Sequence, residues 1–193
     1  MTATEAIQYD RGMWLLETLS LNRLRRQLLT NASGCLLEIG MGTGANLPWY
    51  NEGAKVFGID ANIERMSGSA RRSFISPFAA SCADAQQLPF ASDQFDTVVG
   101  TLVFCSIPEP RQALGEIRRV LRPGGRLLLL EHVRGQGAVS RWLTDFLQPA
   151  WFALQGSCHL NRETGEAVRE AGFSITHTSQ HGWGVLQLIE AEN

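Results

Sequence analysis

Three kinds of signal are missing from this 193-residue sequence, and each absence removes a class of function. It carries no dominant charge. The formal net charge of -2 offers no basic field to gather a polyanion, and no segment resembles an RNA- or DNA-binding module, so no nucleic-acid partner is expected. It has no stretch of about 18 uninterrupted apolar residues, and the N-terminus MTATEAIQYDRG lacks the basic start and apolar run of a secretory signal. A cytoplasmic protein without a membrane span is the expectation. Its cysteines, Cys35, Cys82, Cys105 and Cys158, are widely separated and show neither metal-ligand nor redox spacing, which reads as reduced thiols and no metal site. Repeats, low-complexity linkers and charge blocks are absent too. A chain of this length removes roughly 70% of its unfolded surface from water, enough for one well-buried domain.

What is present is a rhythm. In RGMWLLETLSLNRLRRQLLTNASG, residues Trp14, Leu15, Leu19, Leu24 and Leu28 fall near helical spacing before a polar stop, so residues 1–30 read as a helical extension or lid. Short apolar runs then alternate with helical ones over 31–193: CLLEIG, VFGID, a helix near 62–72, FISPFAA, FDTVVGTLVF, a helix near 111–121, and RLLLLEHV. This is the pattern of a doubly wound α/β fold with buried parallel strands. At the end, GFSITHT and WGVLQLIEAEN are joined too briefly for a crossover helix and should pair antiparallel at one sheet edge.

The stretch LLEIGMGTGANLP places glycines 40, 42 and 44 on the turn after the first strand, where a doubly wound fold binds its ligand. Glycine there allows positive φ and close approach of a ligand to backbone N–H groups. The run formally satisfies the loose dinucleotide pattern G-x-G-x-x-G/A, with Asp60 at a suitable distance, so a nicotinamide-dependent oxidoreductase is one alternative. The pattern E-x-G-x-G-x-G adds Glu38 at the strand end. A carboxylate there repels a pyrophosphate and attracts an amino group, as on the methionine moiety of S-adenosylmethionine. Asp60 can accept from ribose hydroxyls, and Asp84 in CADAQQLPF can accept from an adenine amino group.

With these motifs the sequence resembles the class I S-adenosylmethionine-dependent methyltransferases, above all in ALGEIRRVLRPGGRLLLLEHV. The resemblance implies a Rossmann-like seven-stranded sheet of order 3-2-1-4-5-7-6 with strand 7 antiparallel. It also implies methionine-moiety contacts from Glu38, Gly40 and Thr101 beside Met41, Gly42 and Gly44, ribose contact from Asp60, and adenine contacts from Ala61, Asp84 and Ala85. TLVFCS, LEHV, QPAW and GSCHLNRET are further similar to the small thiol S-methyltransferases, and GTGANLPWY to bacterial phospholipid N-methyltransferases. The implied function is methyl transfer to a small molecule, a thiol or other soft nucleophile. A phospholipid or quinone-precursor acceptor, with peripheral membrane contact, and a catalytically silent cofactor-binding relative are the alternatives.

Transfer from a sulfonium is an in-line displacement in which charge disperses, so a dry pocket that aligns the acceptor supplies most of the catalysis. Phe104, Cys105 and His132 sit at the ends of strands four and five. Tyr9 and Trp14 belong to the extension that covers the site in similar enzymes, and Trp142 and Arg162 to an aromatic-rich lid. Trp142 and Phe146 suit either that lid or a helix face packed on the sheet. Cys105 suits either the acceptor site or a small buried apolar position. His132, then His159, is the candidate general base for a thiol of pKa about 8.5; His177 and His181 read as hairpin residues. A monomer or a homodimer, with contact through Trp142 and Trp151, is compatible with the pattern.

Overall fold

The computed structural model describes residues 21–66, 77–155 and 158–193. Five helices, α1 (Asn22–Leu29), α2 (Ile63–Met66), α3 (Pro110–Val120), α4 (Ala138–Gln155) and α5 (Thr164–Glu170), flank or border seven strands. These are β1 (Cys35–Ile39), β2 (Lys55–Asp60), β3 (Phe78–Cys82), β4 (Phe95–Thr101), β5 (Leu121–His132), β6 (Ser174–His181) and β7 (Leu186–Glu192). They form one sheet of order β3-β2-β1-β4-β5-β7-β6, parallel except at β7, which runs antiparallel to both neighbours.

The apolar runs are continuous because both faces are covered. In β5, Leu127 and Leu129 face one core with Ala113, Leu114 and Ile117 of α3 and Val168 of α5. Leu128 and Leu130 face the other with Leu24, Leu28 and Leu29 of α1, as the two-residue period of a strand requires. Helix α3 starts with Pro110, tolerated in a first turn, and buries residues at the expected three- and four-residue steps. Its successor, the Pro123-Gly124-Gly125 segment, interrupts the β4–β5 ladder, which passes from Phe95↔Leu121 to Thr97↔Arg126.

The α1 residues Leu24, Leu28 and Leu29 pack into the core, while residues 1–20 of the expected N-terminal extension lie outside the described residues. The aromatic face of α4 does not pack on the sheet. Trp142 and Phe146 are 62% and 66% exposed, and their rings stack on each other at 5.2 Å. An amphipathic pattern shows that a helix has an apolar face, and the tertiary fold decides whether that face is covered. Here α4 is held through its polar side, by Arg134 paired with Asp145 and by the Thr144 hydroxyl accepting from Gly135 N–H.

Candidate active site

The turn after β1 is built from positive-φ glycines: Gly40, Gly42 and Gly44 have φ of 64°, 50° and 76°. A Cβ on Gly40 would lie 2.2 Å from Val103 Cγ2, whereas one on Gly42 would meet nothing nearer than 4.0 Å. The first glycine therefore permits packing, and the second leaves open space over the turn. Asp60, at the end of β2, is 7% exposed; Oδ2 accepts from Gly42 N–H at 3.0 Å and Oδ1 from Asn62 N–H at 2.9 Å. The turn and the carboxylate thus orient one another. Met41 places its side chain in the core against Gly58, so it meets the turn's ligand side through its backbone.

Glu38 is buried in a polar network. Asn46 donates to Oε1 at 2.9 Å and the Tyr50 hydroxyl to Oε2 at 2.8 Å, while Arg25 donates to Asn46 Oδ1 at 2.7 Å and to Thr101 Oγ1. Burial pushes the Glu38 carboxyl up to about 7 despite the Tyr50 and Asn46 bonds and the Arg25 charge. Such a group gains most from a cationic neighbour, which favours its ionised form. Asp84 is exposed and accepts from Gln86 N–H at 2.8 Å; Ala61 and Ala85 follow Asp60 and Asp84 at neighbouring strand ends.

Beyond β4 the chain turns sharply at Leu102, a non-glycine residue at φ 54°. Glu131, fully buried in β5, clamps this turn, Oε1 accepting from Val103 and Phe104 N–H at 3.0 and 3.2 Å. Burial lifts its carboxyl to about 7. The clamp brings Cys105 to the end of β5, where the fold gathers two cysteines that no sequence spacing connects. Cys105 Sγ, Cys158 Sγ and a His132 ring nitrogen all lie within 4.8 Å of one another. The Cys158 thiol is held well below its ordinary value, first by the hydrogen bond from Cys105 and then by His132, while the bond to Cys158 and burial raise Cys105.

Arg162 faces this group, and with Phe104, Pro110 and Thr164 it lines an adjoining cleft of ≈ 480 Å³ between α3 and α5. Among the described residues, Glu131 Oε2 and Thr164 Oγ1 are buried without hydrogen-bond partners and border this region, where the Trp151 indole also faces the Cys158 thiol.

Of the expected acceptor residues, the fold gathers Phe104, Cys105, His132 and Arg162. Trp142 stands on the exposed face of α4, and Tyr9 and Trp14 lie outside the described residues. His159 is tied to the same region: its backbone N–H donates to Cys105 O at 2.9 Å, its Nδ1 lies 3.2 Å from Gln148 Nε2, and its ring packs 4.9 Å from Phe152. His177 and His181 lie in β6. Sequence reasoning missed Arg25, Asn46, Tyr50, Glu131 and Cys158. Only the polar residues following Glu38 and the acid before His132 gave a local hint.

Comparison with known proteins supplies the class of this fold. Residues 37–129 match the methyltransferase domain family, and with the strand order they identify the chain as a class I S-adenosylmethionine-dependent methyltransferase. The cofactor is S-adenosylmethionine. Within that class the chain is 38% identical over 147 residues to thiol S-methyltransferase TMT1B of Rattus norvegicus, covering 72% of this chain and 59% of that protein. It is 34% identical over 121 residues to a phosphatidylethanolamine N-methyltransferase of Cereibacter sphaeroides, covering 58% and 60%. The chain spans about three fifths of these relatives' lengths. A solved Thermotoga maritima methyltransferase shares the fold with a TM-score of 0.76 at 19% identity, covering 98% of this chain and 97% of that one. No helix among the described residues is long and apolar enough to cross a membrane.

Proposed function

We propose that the protein methylates a small thiol, taken up where β4 and β5 end. The observation that carries this reading is the convergence of Cys105, His132 and Cys158 beside a cleft bordered by unpartnered polar atoms. Glu38 and Thr101 take the methionine moiety, Asp60 the ribose, and Asp84 with Ala61 and Ala85 the adenine. The acceptor then approaches from the Phe104–Cys105 side, with Arg162 and His132 orienting it. Likeness to a thiol S-methyltransferase over 72% of the chain supports the same acceptor. Alignment of sulfur with the sulfonium methyl, with water excluded, is the main catalytic contribution.

The test is product formation from S-adenosylmethionine with a panel of thiols, amines and phenols, read by mass spectrometry. Asp60→Ala, expected to abolish cofactor binding by calorimetry, is the control. Methylated thiol that disappears in His132→Ala supports the reading; amines or phenols turned over with thiols inert would refute it. The exposed Trp142, Leu143 and Phe146 face of α4 favours a second reading, a phospholipid or quinone-type acceptor met at a membrane surface. Vesicle-dependent activity on such acceptors would establish it.

A further inference from the structure

We propose that Cys105, His132 and Cys158 form a binding site for a soft divalent cation of the zinc type, with three protein ligands and an open fourth position. The three ligand atoms come from separate parts of the chain, the turn after β4, the end of β5 and the segment after α4, and still lie within 4.8 Å of one another. Bonds of about 2.3 Å to sulfur and about 2.0 Å to nitrogen place tetrahedral ligand atoms roughly 3.5 to 3.8 Å apart, so side-chain shifts on the order of 1 Å close the set. Two sulfurs and an imidazole select a borderline-soft ion over magnesium or calcium. Cys105 is buried while His132 and Cys158 are half-buried, which leaves one side accessible. Two cysteines bound as thiolates carry more charge than the one Arg162 guanidinium that faces them.

The cysteine ligands bind as thiolates, so any proton they carry goes to solvent on binding. The consequence for catalysis rests on the thiol reading above. An acceptor R–SH entering as fourth ligand releases its proton to solvent, and the bound thiolate sulfur forms the bond to the methyl carbon as the sulfonium C–S bond breaks. A thioether and S-adenosylhomocysteine result. The ion thereby takes over the deprotonation that the sequence assigned to His132.

The test is titration of the metal-stripped full chain with cobalt(II), read as thiolate-to-metal charge-transfer absorption, and with zinc, read as protection of Cys105 and Cys158 from iodoacetamide. One equivalent with a tetrahedral spectrum is expected, lost in Cys105→Ser and in Cys158→Ser and retained in the exposed Cys82→Ser. Circular dichroism melts establish that the variants fold, and protection of the unmodified protein is independent of any substitution. No cobalt–thiolate band, or unchanged alkylation with zinc, overturns the site. Thiol methylation by stripped protein without such a band would sink the cation and leave the function. A cobalt–thiolate site in a protein that methylates no thiol would do the reverse.

Discussion

Replacing Glu38 by glutamine should make the cofactor-free protein more stable at pH 8 and a poorer binder of S-adenosylmethionine. The carboxyl is fully buried and pushed up from 4.5 to about 7, and that difference corresponds to roughly 3 kcal/mol. Because its folded-state value is raised, Glu38 contributes stability that is fully present below about 4.5 and lost as pH rises through about 7. The amide carries no such charge, but it offers one acceptor where Asn46 and Tyr50 both donate, so the net gain at pH 8 is about 1–2 kcal/mol. Urea unfolding of both proteins at pH 5 and pH 8 measures it. Glu131 titrates in the same direction in both proteins, so the difference between them isolates Glu38. Binding should move oppositely. On the proposed role of Glu38, loss of a buried partner for the cofactor's amino group costs about 2 kcal/mol or more, roughly thirtyfold in affinity. In the parent protein, affinity should rise with pH to a plateau above about 7, since free Glu38 must give up its proton. Equal pH dependence of stability in the two proteins, or unchanged affinity, would refute this account of the network.

Gly40→Ala combines a left-handed backbone with a Cβ 2.2 Å from Val103, and should lower stability by about 1–3 kcal/mol and displace the turn, read as a lower urea midpoint and weaker cofactor binding. Glu131→Ala strands the Val103 and Phe104 N–H groups, and a loss of about 2 kcal/mol or more is expected by denaturant unfolding, with turnover falling more than cofactor affinity. Trp142→Ser with Phe146→Ser should change the unfolding free energy by less than about 0.5 kcal/mol, because both rings are already in water; co-sedimentation with anionic vesicles would fall if α4 meets lipid.

The sheet was legible in the sequence because the strands nearest the centre are apolar runs, β1 and β2 closing on Gly40 and Asp60; the start of β5 was less so, since it begins at Leu121, ahead of the Pro-Gly-Gly segment. The positions of the acids were legible too: Glu38, Asp60 and Asp84 lie at or just beyond strand ends, as their place after apolar runs suggested. The thiol pair was not. Cys158 reaches Cys105 across 53 residues of chain, with the next residue's N–H bonded to Cys105 O, a long-range consequence of the fold that residue spacing does not encode. Arg25 was hidden likewise: in a helix with Arg23 and Arg26 beside it, its sequence gives no sign that it alone turns inward to Asn46 and Thr101.

That inward arginine bears on how the enzyme can be shortened. A chain trimmed to begin just before β1 would retain every recognisable methyltransferase motif, yet it would lose the guanidinium that steadies Asn46 and Thr101 and the leucines that cover one sheet face. Glu38 would keep its motif position and lose its electrostatic support. Motif content is therefore a poor guide to the minimal working unit of this fold, whose functional boundary lies inside a helix that carries no signature of its own.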